Sequence, residues 1–396
     1  MAHTSVDAHA ARVRSILARA MATGTERVTL GDALGRVTAS AVLSPVDLPL
    51  FRNSQMDGFA VRAADLETGE TTLPVVGEIP AQRGTPAMLA PHTTVRIMTG
   101  AVVPEGADAV VPVEDATVVD DVVTIHRPRS VGEYVRERGS DVTAGTELLP
   151  ASLHLASRHL AVLAAAGISD VEVRSRVRVV IVTTGAELIE PGQTADAGQV
   201  YDANGVALDA AVRACGAEVV AAIRNDTDDA DQLHDSLVAV AAGADIILTS
   251  GGISMGQHEV VRDLLTPLGG RIGHIAMQPG GPQATGSFEG VPVISFPGNP
   301  VSTQISFEIF VAPLLRRVAG LPAAIRTSRT LVADVASIPG KRQFLRGRTV
   351  EGGRVEVVAG PGSHLVAGLA ASDVLIDIPE STTDLKAGDA VETLQL

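Results

Sequence analysis

Hydrophobic and polar positions along this chain follow a strand-like pattern in some regions and a helical pattern in others. Between residues 175 and 322, short β-branched apolar runs alternate with amphipathic stretches. Strands alternating with helices are typical of a doubly wound, mostly parallel sheet, so we expect an α/β domain in this region. The runs predict strands at 178–183, 218–223, 244–249 and 291–295, and helices at 203–215, 229–242, 258–267 and about 300–318.

The region before this domain changes pattern twice. Short alternating runs separated by Pro and Gly predict a β-rich module between 45 and 141. A second short helix is expected at about 30–38, and a further helix at 151–167 that ends at Gly167. An amphipathic helix is predicted at 7–22, where one face collects Val13, Ile16, Leu17, Ala20 and Met21.

The last segment, 326–396, has no helical period. A hairpin at 351–354 and a strand at 373–378 predict a small β-barrel or half-barrel there. We therefore predict a multidomain α/β plus β protein. Its parts are a discontinuous helical and linker domain (1–44 and 142–174), an inserted β-rich module (45–141), the α/β domain (175–322) and a C-terminal β-barrel-like domain (323–396).

Composition and charge narrow the function classes. The 396 residues carry a formal net charge of −15, and no dense Lys/Arg tract offsets it. That balance argues against nucleic acid or an anionic membrane as the main partner. Cys215 is the only cysteine, so no internal disulfide can form, as is usual in a reducing cytoplasm. With no signal-peptide pattern and no apolar stretch of membrane-spanning length, we expect a soluble cytoplasmic protein.

Three loops of similar composition follow the predicted strands. In an open α/β sheet, ligands bind beyond the carboxyl ends of the strands, so these loops are expected to meet at one crevice. Their glycines allow close approach of the backbone, and free N–H groups suit an anion. The spacing fits neither GxGxxG nor GxxxxGK[ST], which argues against an ordinary dinucleotide or Walker-type site. The loop residues are Thr183, Thr184 and Gly185; Ser250, Gly251, Gly252, Ser254 and Gly256; and Pro297, Gly298, Asn299 and Pro300.

A series of motifs resembles that of the molybdopterin molybdenumtransferases, the MoeA family, which includes the E domain of gephyrin. The resemblance is collinear from about residue 30 to 320, and the C-terminal β segment fits the family's fourth domain. The motifs are Asn53-Ser-Gln-Met-Asp-Gly-Phe-Ala-Val61, Val95-Arg-Ile-Met-Thr-Gly-Ala101, Gly106-Ala-Asp-Ala-Val-Val-Pro-Val-Glu114, Thr183-Thr-Gly-Ala-Glu-Leu188, Ser250-Gly-Gly-Ile-Ser-Met-Gly256 and Pro297-Gly-Asn-Pro300.

The resemblance implies an enzyme of molybdenum cofactor biosynthesis. It would insert molybdenum from molybdate into adenylylated molybdopterin with release of AMP, using Mg²⁺ and acting as a homodimer. The α/β domain would bind molybdopterin, and the three loops would bind the substrate. Implied partners are the molybdopterin-adenylylating enzyme and the molybdoenzymes, or their chaperones, that receive the cofactor. The apolar stripe of helix 7–22 is a further motive for expecting a dimer.

Five carboxylates are the candidate catalytic residues. Glu187, Asp226 and Glu259 lie at or just after predicted strand or loop ends, where a Mg²⁺ ion would find carboxylate ligands. By resemblance, Asp57 and Asp141 would approach the crevice from the other subunit of the dimer.

Each candidate has a structural alternative. Asp57 and Asp141 can each cap a turn, and Glu187 can be a first-turn helix residue. Asp226 can be a helix cap, and Asp228 is a competing alignment to the family aspartate. Asn299, between two prolines, is expected to shape its turn.

This chain departs from the family at several positions. Glu259 stands where the family often has Asp, and neutral or weakly basic residues replace the family lysines at His274, Gln278 and Gly281. Arg262, Arg271 or an arginine of the other subunit are candidate replacements for the lost charge.

Two alternative functions remain open at this point. They are a molybdopterin adenylyltransferase-like or other nucleotide-pterin enzyme, and a non-catalytic cofactor-binding scaffold. The choice between molybdenum and tungsten, and the identity of the recipient enzymes, also stay open.

Overall fold

The computed structural model describes residues 4–21, 24–227, 229–254 and 259–396. The helices of these residues are α1 Val6–Ala20, α2 Ser157–Ala165, α3 Ala203–Ala214, α4 Ala230–Ala241, α5 Val260–Leu265, α6 Pro300–Phe310, α7 Ala312–Val318 and α8 Val366–Ala370.

The strands before the α/β domain are β1 Thr25–Thr29, β2 Val42–Leu43, β3 Asn53–Ser54, β4 Gly58–Val61, β5 Thr71–Ile79, β6 Thr94–Ile97, β7 Ala109–Pro112, β8 Ala116–Val119, β9 Val122–Ile125, β10 Val135–Arg136, β11 Glu147–Leu149 and β12 Asp170–Arg174. Those that follow are β13 Arg178–Thr184, β14 Leu188–Ile189, β15 Val200–Tyr201, β16 Glu218–Asn225, β17 Ile246–Ser250, β18 Arg271–His274, β19 Met277–Gln278, β20 Pro282–Phe288, β21 Val291–Phe296, β22 Arg326–Thr330, β23 Val335–Ala336, β24 Arg342–Val350, β25 Arg354–Val357, β26 Val374–Ile378, β27 Asp384–Leu385 and β28 Ala390–Gln395.

The chain divides into two compact units. The first comprises Met1–Glu26, Gly35–Val37 and Val173–Leu396, and the second comprises Arg27–Leu34 and Thr38–Glu172. This division differs from the predicted discontinuous helical domain (1–44 and 142–174), because α1 falls in the first unit and α2 in the second. The reason lies in the core, since the apolar residues of α1 are buried together with the sheet and helices of the α/β domain.

The sheet of the α/β domain is mixed, with strand order β16-β13-β17-β21-β20-β18. The first four strands are parallel, whereas β20 and β18 pair antiparallel at one side. Side chains of β13 alternate between two cores: Val179 and Ile181 pack with α1, α3, α6 and α7, whereas Val180 and Val182 pack with α4 and α5. Helices therefore cover both faces of the sheet, which confirms the doubly wound, mostly parallel prediction.

Two predicted elements of the chain differ from those observed, and one observed pair of strands was not predicted. The expected helix at 30–38 is a series of turns, and Gly35 has a φ of +74° there. The helix expected at about 300–318 is broken at Val311, because Pro313 in the first turn of α7 has no N–H with which to continue the hydrogen-bond pattern of α6. The antiparallel pair β18 and β20 was not predicted, since its residues include few consecutive apolar positions.

The C-terminal segment of the first unit forms a sheet, which β19 from the predicted α/β domain joins at one edge. Its order is β19-β24-β26-β28-β22, and β25 pairs with β24. Val355 of β25 also bridges Leu331, which directly follows β22, so the sheet curls back on itself. The predicted turn at 351–354 joins β24 to β25. The short helix α8 is the one departure from the expected absence of helix in this segment.

The second unit contains the predicted β-rich module. Its main sheet has the order β7-β4-β6-β5-β9-β8, with apolar clusters on either side of β4. The helix predicted at 151–167 is shorter than expected, but Gly167, with a φ of +76°, follows α2 as the predicted stop. Among the described residues, no helix is long and apolar enough to cross a membrane.

Candidate cleft at the strand ends

The carboxyl ends of three parallel strands open on one cleft. Thr183 of β13 is aligned with Ser250 of β17, and Ser250 with Phe296 of β21, so the three following loops begin at the same level of the sheet. A cleft of about 1040 Å³ lies there, within the first unit. The expected ligand crevice is therefore present. Its lining includes Thr184, Gly185, Gly251, Gly252, Ser254, Pro297, Gly298, Asn299 and Pro300.

The remaining loop residues predicted for the substrate site have other positions. Thr183 and Ser250 are not part of the lining and lie buried in the sheet just beneath it. Gly256 lies outside the described residues.

Close backbone packing explains the glycines of these loops. Gly251 has a φ of +94°, and a Cβ atom on it would come within 2.6 Å of the Thr184 carbonyl oxygen. A Cβ on Gly298 would lie 3.3 Å from Gly251 Cα. The two loops thus approach each other and Thr184 through backbone atoms, which only glycine permits at Gly251.

Hydrogen bonds tie the loop after β17 to the loop after β21. Asn204 donates through Nδ2 to Ser250 Oγ at 2.9 Å and to the Gly298 carbonyl at 2.7 Å. Thr303 Oγ1 donates to the Pro297 carbonyl at 2.6 Å and lies 3.0 Å from Ser250 Oγ. The network is buried, so these bonds hold the two loops in one arrangement.

Asp202, directly before α3, supports the loop that follows β13. One carboxylate oxygen accepts from Thr183 Oγ1 at 2.6 Å, and the other accepts from the Gly205 N–H at 2.9 Å as the N-cap of α3. The sequence analysis identified neither Asp202 nor Asn204, although both line the cleft. An aspartate directly before the helix predicted at 203–215 is an N-cap signal that points to the first of them.

Two of the candidate carboxylates line the cleft. Glu187 folds over the first glycine loop, since a Cβ atom on Gly185 would lie 2.7 Å from both Glu187 carboxylate oxygens. Glu259, directly before α5, accepts from the Ser254 N–H at 2.8 Å. The carboxylates therefore lie on loops after two different strands.

Asp226 has a different position from these two. It is exposed, directly after Asn225 of β16, which pairs with Thr184, and it is not part of the lining. The structure thus does not assemble Glu187, Asp226 and Glu259 into one metal-binding group, and its described residues contain no cluster of three possible ligands. Asp228, the competing alignment, lies outside the described residues.

Asp57 and Asp141 belong to the second unit and are exposed. Asp57 Oδ1 accepts from the Thr99 N–H at 2.6 Å and from Thr99 Oγ1 at 2.7 Å. These two bonds hold the pKa of the Asp57 carboxyl below its usual range, the backbone bond contributing most. The turn that Asp57 holds is thus the one after β6, which contains Thr99, and not the Asp57-Gly58 turn of the sequence prediction. The Asp141 N–H donates to the Leu48 carbonyl at 3.0 Å.

The three positions at which the family has lysines all line the cleft, but the lysine of this cleft comes from a later part of the chain. His274, Gln278 and Gly281 line the cleft together with Lys341. Strand β24 pairs in parallel with β19, and Met277 of β19 lies opposite Arg342 of β24. Lys341 directly precedes Arg342 and is therefore next to the segment that contains Gln278. Lys341 is the one Lys or Arg of the lining within the described parts of the chain.

The arginines considered as replacements lie elsewhere. Arg262 Nη1 donates to the Ser254 carbonyl at 3.0 Å, and Arg271 is on the outermost strand β18 of the sheet. Neither belongs to the lining. The sequence analysis missed Lys341 because nothing in the α/β pattern indicates that a loop of the C-terminal segment reaches this cleft.

A doubly wound sheet with a polar cleft at its strand ends, lined by glycine turns, carboxylates and one lysine, is the arrangement in which open α/β proteins bind their ligands. Family models match successive parts of the chain: the MoeA N-terminal region (domain I and II) over residues 4–167, a probable molybdopterin binding domain over 180–317, and the MoeA C-terminal region (domain IV) over 329–396. The chain belongs to the MoeA family.

Individual relatives agree with this assignment over nearly the whole chain. Molybdopterin molybdenumtransferase 2 of Mycobacterium tuberculosis is 41% identical, covering 93% of this chain and 94% of its own length. Molybdopterin molybdenumtransferase of Nostoc is 36% identical, covering 94% and 89%. The crystal structure of the molybdopterin biosynthesis MoeA protein of Pyrococcus horikoshii has a TM-score of 0.78 at 31% identity, covering 97% of this chain and 98% of that one.

Proposed function

We propose that this chain is a transferase of molybdenum cofactor biosynthesis that inserts molybdenum into molybdopterin. The names of its relatives support the activity, since several are called molybdopterin molybdenumtransferase. The observation that carries the proposal is the cleft at the strand ends, where three polar loops, the carboxylates Glu187 and Glu259 and a lysine line the same space.

The substrates of this proposal are adenylylated molybdopterin and molybdate, and AMP is released. A phosphoanhydride requires several hydrogen-bond donors, which glycine turns with exposed backbone N–H groups can supply. Gly252 and Gly298, which line the cleft, are the candidates for this role, whereas the Gly251 N–H donates to the Phe296 carbonyl at 3.1 Å. The bonds of Asn204 and Thr303 keep these turns in place, so the loops need little rearrangement when the substrate binds.

Lys341 is our candidate for the anion-binding cation. It faces the same cleft as the segment in which the family lysines are replaced, and its neighbour Arg342 is fixed by Asp377, with Arg342 Nε 2.7 Å from Asp377 Oδ1. Because Asp377 neutralises Arg342, the charge left to meet molybdate or phosphate at this position is that of Lys341. His274 and His364 add polar contacts to the same cleft.

Mg²⁺ fits the carboxylates of the cleft. This ion usually binds one or two carboxylates together with phosphate oxygens and waters, so Glu187 and Glu259 suffice without a preformed cluster. When bound, it would neutralise charge on the adenylyl phosphate. Asp226 is the third carboxylate of the proposed site, and it lies outside the lining of the cleft.

A homodimer in which Asp57 and Asp141 reach the cleft of the other copy is also part of the proposal, on the strength of the family resemblance. The apolar stripe of helix 7–22 does not support it, since Val13 and Leu17 are fully buried within their own chain. We also propose a cytoplasmic location, with the adenylylating enzyme as the supplier of the substrate and molybdoenzymes or their chaperones as the recipients of the cofactor.

The test is an insertion assay with purified protein. Adenylylated molybdopterin, molybdate and Mg²⁺ should yield AMP and molybdenum-loaded cofactor. Lys341→Gln should raise the KM for molybdate by about tenfold or more, because one charge-assisted contact is lost. The chain's other lysine provides a matched control: Lys386 is exposed and pairs with Asp334 at 3.0 Å, so Lys386→Gln should leave KM unchanged.

Other outcomes would replace this function. Formation of adenylylated molybdopterin from molybdopterin and ATP would indicate an adenylyltransferase. Tight binding of the substrate without AMP release, at any Mg²⁺ concentration, would indicate a non-catalytic scaffold.

A further inference from the structure

Tyr201 is an aromatic side chain at the edge of the cleft. It is 48% exposed, and its neighbour Val200 is 50% exposed. Both line the cleft together with Leu188. The chain has no tryptophan and two tyrosines, so an aromatic ring left open to solvent at the proposed active site is a rare feature of this molecule. Its exposure is not explained by packing within the chain.

The Tyr201 ring is held in place from two sides. Its hydroxyl donates to the Gln193 carbonyl at 2.9 Å, which ties the tip of the ring to the preceding loop. Its backbone is part of a parallel pair in which Leu188 is aligned with Val200 and Ile189 with Tyr201. The next residue, Asp202, is the N-cap of α3. A ring restrained in this way can receive a ligand without losing much conformational freedom.

We propose that Tyr201 is the surface on which a flat nitrogen heterocycle of the substrate stacks. This inference rests on the proposed function, because the substrate named there contains two such rings, the pterin and the adenine. Stacking on an aromatic side chain suits either ring, since each has a π-face. Leu188 and Val200 extend the apolar surface beside Tyr201. Tyr201 is thus a specificity-determining residue for the ring system, whereas the lysine and the glycine turns meet the charged groups.

The tyrosine content of the chain allows a direct optical test. Tyr134, the other tyrosine, belongs to the second unit, where its ring packs against the Arg129 guanidinium at 5.1 Å. In a Tyr134→Phe background, all tyrosine emission comes from Tyr201. Saturation with AMP or with 6-hydroxymethylpterin, after correction for absorption, should quench this emission if either ring stacks on Tyr201. The probe that quenches identifies the ring.

Affinity measurements by calorimetry supply the second test. Tyr201→Ala should weaken binding of the quenching probe by about five- to 150-fold, the range for loss of one stacked base. Tyr201→Phe keeps the ring and should bind within about twofold of the unsubstituted protein. Val206→Ala is the matched control, because Val206 is a 61% exposed apolar residue of α3 that does not line the cleft.

The outcomes separate this inference from the proposed function. The inference is overturned if Tyr201→Ala, folded as judged by circular dichroism, binds both probes as tightly as Tyr201→Phe does. It is also overturned if neither probe quenches Tyr201 although calorimetry detects binding. In both cases molybdenum insertion by the unsubstituted protein would leave the proposed function standing. Failure of the unsubstituted protein to bind either probe and to release AMP would count against both.

Discussion

Replacement of Asn204 by aspartate should loosen the cleft while changing almost no volume. The Asn204 amide donates two hydrogen bonds, to Ser250 Oγ and to the Gly298 carbonyl, and its Oδ1 is buried with no partner. The opposite amide orientation would place Oδ1 against the Gly298 carbonyl, so the nitrogen must face these acceptors. A carboxylate has no hydrogen to donate and would repel the Gly298 carbonyl.

The expected loss of stability follows from these contacts. A buried acceptor left without a donor costs about 1–3 kcal/mol, and Ser250 Oγ keeps Thr303 as a neighbour, so most of the cost falls on the Gly298 carbonyl. A negative charge in the first turn of α3 offsets about 0.3–1 kcal/mol of it. The net destabilisation of Asn204→Asp should therefore be about 1.4 kcal/mol at the midpoints of these ranges, and at most about 2.7 kcal/mol.

Urea unfolding and AMP release measure the two consequences. Because Gly298 moves with its loop, molybdenum insertion should fall by about tenfold or more even where the variant is fully folded. Gln199→Glu is the control: this exposed amide uses only its oxygen, which accepts from the Asp196 N–H at 2.8 Å, so the carboxylate keeps that bond. Equal stability and equal activity of Asn204→Asp and Gln199→Glu would refute the positioning role of Asn204.

Three further predictions concern charged groups. Asp57→Asn keeps the oxygen that accepts both Thr99 bonds, so the melting temperature of the variant at pH 7 should be near that of the parent. Its molybdenum insertion activity should fall sharply. Normal activity would show that Asp57 has a structural role only. Glu187→Gln should raise the Mg²⁺ concentration needed for half-maximal AMP release more than Asp226→Asn does, because Glu187 lines the cleft and Asp226 does not. The reverse order would contradict the proposed Mg²⁺ position. Burial, more than the nearby Arg12, lowers the pKa of His9 to about 4, so the unfolded chain takes up a proton below about pH 6.5 that the folded chain takes up only near pH 4. Stability should therefore fall by up to about 3 kcal/mol between those values, and urea titrations of His9→Gln should lack this component.

Local sequence determined most of the secondary structure of the α/β domain. Its strands are β-branched runs buried on both faces, such as Arg178–Thr184, and such runs differ clearly from the amphipathic helices between them. The glycine loops were identifiable because their position after each strand predicts where a ligand binds. Pro313 was a sequence signal for the break at Val311, but the apolar residues on both sides of it follow one helical period and favoured a continuous helix.

Tertiary structure alone decided which residues complete the cleft. Lys341 and His364 come from the C-terminal segment. The position of Lys341 depends on the pairing of β19 with β24, and His364 follows Ser363, whose carbonyl accepts from the Val301 N–H of α6 at 3.3 Å. The same holds for α1, whose stripe is buried in its own core although its pattern is equally compatible with a partner. The period of apolar residues along an element predicts which of its faces is buried, because it follows from the polarity of each side chain in turn. It does not predict which element covers that face, because the covering element is determined by the packing of residues far apart in the chain.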